Sequence, residues 1–319
     1  MIEVRGLERR FGEFVAVSGL SFQVGEGEIF GFIGPNGAGK TTTIRILATL
    51  DLPTRGQARV AGFDVASEPE RVRELLGFMP DAWGVYPGQT VEECLSFFAA
   101  AHRIPRRERR RAVSEVMDLT DLHALAGRRV EALSLGMQQR LCLATTLVHD
   151  PRLLVLDEPA NGLDPGARIE FREILRELRR MGKTIFISSH ILTELSDLVS
   201  AVGIVERGKM VMAGPVSEIQ ARLSGDPDQA AGLALRRWVL RTAPARREAA
   251  REALLAHPAV RDAREQGERE VLILVDGPEE LADELVRALV GAAVPVLGLQ
   301  ELELDLERMF LAVTRGRVQ

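Results

Sequence analysis

The chain contains a lysine inside a glycine-rich stretch, Gly34-Pro-Asn-Gly-Ala-Gly-Lys-Thr41. The stretch fits the spacing G-x-x-x-x-G-K-[ST], follows the apolar run EIFGFI and precedes a segment with helical spacing. Glycines let successive backbone N–H groups turn toward phosphate oxygens, and the start of the following helix adds positive partial charge. Lys40 is one of only three lysines in the sequence, and its compact ammonium suits such a cradle better than a broad guanidinium. The stretch therefore predicts a site for a nucleoside triphosphate.

Several residues of this stretch are candidate contacts to the nucleotide. They are Gly34, Asn36, Gly37, Ala38, Gly39, Lys40, Thr41 and Thr42. The hydroxyl of Thr41 is also a candidate ligand of Mg²⁺. The alternative is a glycine-rich turn that binds nothing, but a chance match to the complete pattern is rare. The motif does not distinguish kinases, GTPases and ATPases.

Two adjacent acids, Asp157 and Glu158, follow the apolar run RLLVL. A buried parallel strand would deliver both carboxylates to the edge of the sheet where ligands bind. Asp157 can hold Mg²⁺, directly or through water, as the acidic partner of Thr41. Glu158 is then free to polarise an attacking water, because a base must be separate from the metal ligand. The alternative, in which the acids only cap the turn EPANG, loses weight beside the glycine stretch.

His190 follows the apolar run TIFISS and completes this group. A neutral imidazole at a strand end beside the glycine stretch can bond the γ-phosphate or orient water, so His190 is a second catalytic candidate. The other histidines lie in helical or loop patterns that indicate structural roles: His102, His123, His149 and His257.

These candidates need a sheet whose strands end at one edge. The runs EIFGFIG, RLLVLDEP and KTIFISSH are interleaved with helical patterns such as ARIEFREILRELRRMG, which predicts an α/β fold with parallel strands and crossover helices. Strand patterns near the N-terminus and a helical subdomain at about 85–150 complete a predicted domain over residues 1–222.

A change of pattern in LSGDPDQAAG, around 223 to 232, predicts a linker. Residues 233–319 then read as strand, helix, strand, strand, helix, strand, which predicts a small α+β ferredoxin-like domain. A last helical pattern places four apolar residues on one face: Leu306, Met309, Phe310 and Val313.

The composition is that of an ordinary globular protein, with 46% hydrophobic and 27% charged residues. A net charge of -5 argues against general nucleic-acid binding by bulk charge. Cys94 and Cys142 are too few for a disulfide framework and belong to no cluster with metal-ligand spacing. No run approaches the roughly 20 apolar residues that cross a bilayer, and the start of the chain lacks a secretory signal pattern. We therefore expect a cytoplasmic protein.

A third motif, Leu133-Ser-Leu-Gly-Met-Gln-Gln-Arg140, lies between the glycine stretch and the acids. Ser134 can cap a helix and Gly136 lets a phosphate approach the backbone, although the motif alone indicates only an N-cap. In the order GPNGAGKT, LSLGMQQR, LLVLDEP, GLDP and SSH, the motifs resemble the P-loop ATP-binding cassette of ABC transporters over residues 1 to about 220. The chain looks most similar to the ATP-binding subunits of bacterial exporters.

The resemblance implies a head-to-tail homodimer in which each ATP lies between the glycine loop of one chain and the signature helix of the other. It assigns Ser134 and Gly136 to the partner's γ-phosphate, and Asp164 to a contact across the dimer. It assigns Phe11 to stacking on adenine, with a buried core phenylalanine as the alternative.

Two positions depart from the family pattern. Leu135 replaces the first glycine of LSGGQ, but a residue that enters a helix has negative φ, so leucine is allowed there. Asp81 lies where the family usually has a glutamine that touches Mg²⁺ and the attacking water. Aspartate can coordinate the metal or accept a hydrogen bond from water, but it cannot donate one.

The resemblance also implies an ATPase that uses ATP and Mg²⁺ and drives a separate multi-span permease, for export of drugs, lipids, polysaccharides or ions. Such a chain would lie on the inner face of the membrane through its permease. The alternative is a soluble ABC ATPase acting on a nucleic-acid or ribosomal partner. Only about ninety residues separate Lys40 from Ser134, too few for a long coiled coil, and a second glycine loop is absent.

Overall fold

The computed structural model describes residues 1–84, 88–191, 195, 198–223, 235–267, 269–277 and 281–301. The chain divides into two compact units, Met1–Val216 and Ser217–Gln319. Most of the predicted linker around 223 to 232, and the predicted last helix with its apolar stripe, lie outside the described residues.

The first unit contains ten strands in its described part. In chain order they are β1 (Ile2–Phe11), β2 (Phe14–Val24), β3 (Ile29–Ile33), β4 (Arg55–Val60), β5 (Phe63–Asp64), β6 (Leu76–Met79), β7 (Leu153–Leu156), β8 (Thr184–Ser189), β9 (Ala201–Glu206) and β10 (Lys209–Pro215). The described helices that begin within it are α1 (Lys40–Leu47), α2 (Pro69–Leu75), α3 (Val91–Ala101), α4 (Arg106–Leu119), α5 (Leu135–Leu147), α6 (Pro165–Arg180) and α7 (Val216–Leu223). Short 3₁₀ turns lie at His123–Leu125 and Val130–Ala132.

The central sheet has the strand order β10-β9-β3-β8-β7-β6. The five strands from β9 to β6 pair in parallel, and β10 pairs antiparallel with β9. Every residue of β3, β7 and β8 is buried, which explains why these strands read as unbroken apolar runs. The carboxyl ends of the parallel strands meet at one edge, and this edge carries the functional candidates.

An antiparallel sheet with the order β2-β1-β4-β5 packs on the central sheet. The shared core contains Phe22 of β2, Phe30 and Phe32 of β3, and Phe186 of β8. Their ring centroids lie 5.2–5.9 Å apart, at separations where aromatic pairs attract beyond their buried area. This aromatic cluster anchors β3 and β8 behind the glycine loop and His190.

Helices α3, α4 and α5 form the helical region that the sequence predicts. Helix α3 begins at a capping box, because the Thr90 side chain accepts from the Glu93 N–H while Glu93 accepts from the Thr90 N–H. Helix α5 begins at Ser134, whose hydroxyl accepts from the Met137 N–H. No described helix combines the length and apolar character that crossing a bilayer requires.

The second unit contains β11 (Leu235–Arg241), α8 (Arg247–Leu255), β12 (Val260–Gln266), β13 (Glu270–Asp276), α9 (Leu281–Gly291) and β14 (Gly298–Glu301). Its antiparallel sheet has the order β12-β13-β11-β14, so β13 separates the two strands that α8 connects. This is a split strand-helix-strand arrangement of the ferredoxin-like kind. Trp238, Leu240, Ile273, Leu254 and Leu285 are buried together in its own core.

Candidate functional site

The glycine loop follows β3 directly, and helix α1 begins at Lys40. Gly39 has a φ of 95°, and a Cβ atom there would lie 2.5 Å from the carbonyl oxygen of Ala16. A Cβ atom on Gly34 would collide with the carbonyl oxygen of Val205. Both positions therefore require glycine, and the loop curls tightly into the first turn of α1.

The ammonium of Lys40 is buried at the base of this loop. It donates to the carbonyl oxygens of Gly34 at 2.7 Å and Pro35 at 3.3 Å. It also forms an ion pair with Glu158, with 3.1 Å between Nζ and Oε1. Each of the three N–H donors of Lys40 therefore has an acceptor within the protein.

Asp157 lies immediately after β7 and is almost fully buried. Its Oδ1 accepts from the hydroxyl of Ser188 at 2.7 Å, and its carboxylate also accepts from the side chain of Thr41. Burial is the main cause that raises the pKa of Asp157, and the hydrogen bonds from Ser188 and Thr41 oppose that rise. The structure thus brings together Thr41 and Asp157, two of the three residues that the sequence predicts as metal ligands; the third is Asp81.

Glu158 turns away from Asp157, because its φ of 48° lies in the left-handed region. Its Oε2 contacts His190 Nδ1 at 2.7 Å, and the His190 N–H points to the same oxygen at 3.3 Å. Its backbone N–H donates to the Ser188 hydroxyl at 2.9 Å. Lys40, Glu158 and His190 therefore form one connected polar chain across the strand ends.

A cleft of about 580 Å³ opens over these residues. The predicted site residues on its wall are Asn36, Gly37, Gly39, Lys40, Thr41, Thr42, Asp81, Glu158 and His190. Gly34 and Ala38 support the loop from behind, and Ala38 is buried. The negative charge of Asp81 adds to the rise in the pKa of Asp157. Four elements, β3, β6, β7 and β8, deliver these side chains to one edge.

The aromatic wall of the cleft is Phe14, not the predicted Phe11. These residues face each other across the hairpin between β1 and β2. Phe14 is 65% exposed, whereas Phe11 is 49% exposed and carries the guanidinium of Arg9 over its ring, 4.4 Å from the centroid. Phe11 is therefore neither a core residue nor part of the cleft wall.

Ser134, Gly136 and Asp164 do not line this cleft. Ser134 caps α5, and Asp164 caps α6 by accepting from the Ala167 N–H at 2.9 Å. A Cβ atom on Gly136 would lie 3.0 Å from the Cβ of Ala167, so the first turns of the two helices are in close contact. Leu135 is the first residue of α5 and is 47% exposed. The signature residues thus form a second surface on the same chain.

Sequence reasoning missed four residues around the cleft: Phe14, Ala16, Asn161 and Ser188. The serine had a readable signal, because a polar residue inside the apolar run TIFISS needs a hydrogen-bond partner when buried. The other three had none, because their positions depend on how the β1–β2 hairpin and the turn after Glu158 pack.

The donor set fits a magnesium nucleotide. The Thr41 hydroxyl and the Asp157 carboxylate supply the oxygen ligands that Mg²⁺ prefers, beside a loop that glycines keep open for phosphates. Among the described residues, no cluster of three or more His, Cys, Asp and Glu side chains could hold a metal ion. Together, the parallel sheet, the glycine loop and the acids define a P-loop nucleotide-binding domain.

Comparison with known proteins agrees with this class. Residues 17–161 match the ABC transporter family. The chain is 36% identical over 226 residues to the probable multidrug ABC transporter ATP-binding protein YbhF of Escherichia coli K12, covering 71% of this chain but only 39% of that protein. It is 38% identical over 237 residues to the Nod factor export ATP-binding protein I of Burkholderia orbicola, covering 72% of this chain and 78% of that protein.

A solved ATP-binding subunit of an ABC transporter superposes with a TM-score of 0.64 at 28% identity, covering 70% of this chain and 93% of that chain. The α/β cassette fold that the sequence predicts is therefore confirmed. The chain belongs to the ABC transporter family, and its first unit resembles the ATP-binding subunits of that family.

Proposed function

We propose that this chain binds MgATP between two head-to-tail copies of itself and uses hydrolysis to drive a separate membrane permease. The observation that carries this proposal is the division of the candidate residues between two surfaces. The glycine loop, Asp81 and Glu158 line the cleft, whereas Ser134, Gly136 and Asp164 lie outside it at the starts of α5 and α6. A second copy would bring a pair of helix N-termini to the open side of the cleft, where they favour negative phosphate.

The side chains then divide the chemistry of hydrolysis. Lys40 and the loop N–H groups bind phosphate oxygens. Thr41 and Asp157 would hold Mg²⁺, which would neutralise phosphate charge. Glu158 accepts a proton from the attacking water while the water oxygen forms a bond to the γ-phosphorus. The bond from that phosphorus to the bridging oxygen breaks, and ADP leaves with the electron pair. His190, already bonded to Glu158, orients the carboxylate toward the water.

The proposal of a permease partner is supported by a groove of about 480 Å³ between β6, α3 and α5. Its walls include the apolar and aromatic side chains Leu76, Phe78, Trp83 and Phe98. The loop Pro80–Gly84 contributes to this groove, and the same loop carries Asp81 to the cleft. A permease segment seated in the groove would therefore contact a loop that reaches the nucleotide.

We propose export as the direction, because one named relative is a Nod factor export ATP-binding protein and the other is a probable multidrug ABC transporter ATP-binding protein. Drugs, lipids, polysaccharides or ions are the proposed substrates, and the chain would work in the cytoplasm at the inner face of the membrane. The rival, a soluble ABC ATPase on a ribosomal or nucleic-acid partner, is opposed by the net charge of -5.

The decisive variant is Glu158→Gln in the full-length chain. With MgATP we expect no turnover and a dimer in size-exclusion chromatography with light scattering. Adding Ser134→Arg should return this variant to a monomer, because the bulky cation would fill the second surface, whereas Lys40→Ala should prevent nucleotide capture altogether. A hydrolysis-deficient protein that stays monomeric at saturating MgATP would refute the shared pocket. Co-purification with ribosomes or DNA instead of a membrane protein would favour the rival.

A further inference from the structure

Ser188 contacts both acids of the candidate site. It lies on β8, its side chain is fully buried, and its hydroxyl donates to Asp157 Oδ1 at 2.7 Å. The Ser188 hydroxyl oxygen in turn accepts the backbone N–H of Glu158 at 2.9 Å. One hydroxyl therefore joins the carboxylate of the first acid to the main chain of the second.

The main-chain conformation of Glu158 makes this contact important. A non-glycine residue in the left-handed region is strained and persists only where its surroundings hold it. Two hydrogen bonds hold Glu158 there, one from its N–H to Ser188 and one to its carbonyl from the Asn161 N–H at 3.1 Å. The turn sends the Glu158 carboxylate toward Lys40 and His190, while Asp157 stays beside Thr41.

We propose that Ser188 is a positioning residue that keeps the two adjacent acids pointing in different directions, one toward the metal ligands and one toward the attacking water. This proposal rests on the proposed ATPase function. A buried serine that merely satisfies its own hydroxyl would need only one partner. Ser188 instead uses its single donor on one acid and an acceptor lone pair on the next.

The neighbouring serine provides a matched control. The Ser189 hydroxyl accepts from the Ile191 N–H at 2.9 Å and donates to the Ile191 carbonyl oxygen at 2.9 Å, so these two contacts belong to the turn after β8. The test compares Ser188→Ala, Ser188→Thr and Ser189→Ala in the full-length chain. Each protein is measured for binding of a fluorescent ATP analogue with Mg²⁺ and with EDTA, for kcat and KM, and for thermal unfolding without nucleotide.

We expect Ser188→Ala to keep the EDTA affinity within about twofold, because Lys40 and the glycine loop are unchanged. Loss of a hydrogen bond to a charged group corresponds to a change of about 10- to 100-fold in a rate or equilibrium constant. We expect Ser188→Ala to lower kcat by this factor and to reduce the gain in ATP affinity that Mg²⁺ confers by the same factor. Ser188→Thr restores the hydroxyl and should recover both. Ser189→Ala should behave as the wild type in both measurements.

Wild-type kcat and wild-type Mg²⁺ dependence in Ser188→Ala would overturn the proposal. So would an equal loss of affinity with Mg²⁺ and with EDTA beside a lowered melting temperature, since a purely structural role predicts that pattern. If Ser188→Thr does not fold, the contrast between the two alanine variants still decides. Failure of the proposed function shows separately, as a wild-type protein that neither hydrolyses ATP nor gains affinity from Mg²⁺, and in that case the role of Ser188 is refuted with it.

Discussion

Replacing Glu158 by glutamine tests whether the ion pair between Glu158 and Lys40 competes with phosphate for the lysine ammonium. The side chains of Lys40 and Glu158 are only 6% and 12% exposed, and their ion pair joins Nζ and Oε1 at 3.1 Å. A triphosphate that takes the Lys40 ammonium must first remove it from Glu158. The ion pair therefore weakens nucleotide binding by the amount of free energy with which it stabilises the nucleotide-free protein.

The magnitude follows from the burial of the pair. A hydrogen bond to a charged group contributes about 1.5–3 kcal/mol, and removing one partner of a buried pair costs up to about 3–5 kcal/mol. Glutamine still offers Lys40 an amide oxygen, so the lower range applies. We expect Glu158→Gln to bind ATP about 10- to 100-fold more tightly in EDTA. Without nucleotide, the melting temperature of Glu158→Gln should be about 3–12 °C below that of the wild type, since 1 kcal/mol of stability corresponds to about 2–4 °C in a unit of this size.

The assay is a fluorescence titration with a nucleotide analogue in EDTA, so that neither metal binding nor turnover contributes. Asp81→Asn is the matched control, because it removes the same unit charge from the cleft wall without altering the Lys40 pair. Removing a charge that acts through solvent changes the binding free energy by about 1 kcal/mol or less, so the ATP affinity of Asp81→Asn should rise by less than about fivefold. Equal gains in the two variants, or no gain in Glu158→Gln, would refute the self-pairing.

Two further predictions concern stability. Gly39→Ala should lower the free energy of unfolding by about 1–3 kcal/mol more than Gly37→Ala, as measured by thermal unfolding. Both glycines have positive φ, but only a Cβ atom at position 39 would lie against a carbonyl oxygen. Equal losses of stability in the two variants would contradict this. Burial lowers the pKa of His149 to about 4, and the His102 imidazole, whose ring centroid lies 3.8 Å away, adds to this shift. As the pH falls below about 6.5, the unfolded chain therefore protonates His149 before the folded protein does, and the folded state loses stability. The wild type should therefore lose up to about 3 kcal/mol more stability than His149→Gln between pH 6.5 and 4 in chemical unfolding, and parallel curves would refute the assignment.

The central sheet could be predicted from sequence because its physics is local. Strands buried on both faces must be apolar along their whole length, so β3, β7 and β8 stand out as runs, and whatever polar residue follows each run reaches the same edge. The runs alone predict that Gly34, Asp157 and His190 lie at one edge, and the spacing of the glycine stretch adds the phosphate-binding role of Gly34. Their proximity in the structure follows from the parallel register of β3 with β8 and of β8 with β7.

The remaining features of the site depend on packing that no local pattern encodes. The cleft wall contains Phe14 and not Phe11, although the two residues flank a hairpin of only two connecting residues, and no sequence pattern distinguishes the two rings. The left-handed turn at Glu158 was equally hidden, because that conformation is normally signalled by glycine or asparagine. The contact of Glu158 with Lys40 joins residues far apart in sequence, through a side-chain geometry that propensities do not describe.

Helix α5 gives the proposed assembly a mechanical logic. Its first residues carry the signature surface, and Cys142, Thr145 and Thr146 near its other end line the groove proposed for the permease. A 13-residue helix spans about 20 Å, so α5 links the groove to Ser134 through one continuous element. The groove also contains the loop that carries Asp81 to the cleft. A permease segment seated there would therefore act on the nucleotide of its own cassette through Asp81 and on the partner's nucleotide through α5, which couples both pockets of the dimer to one contact.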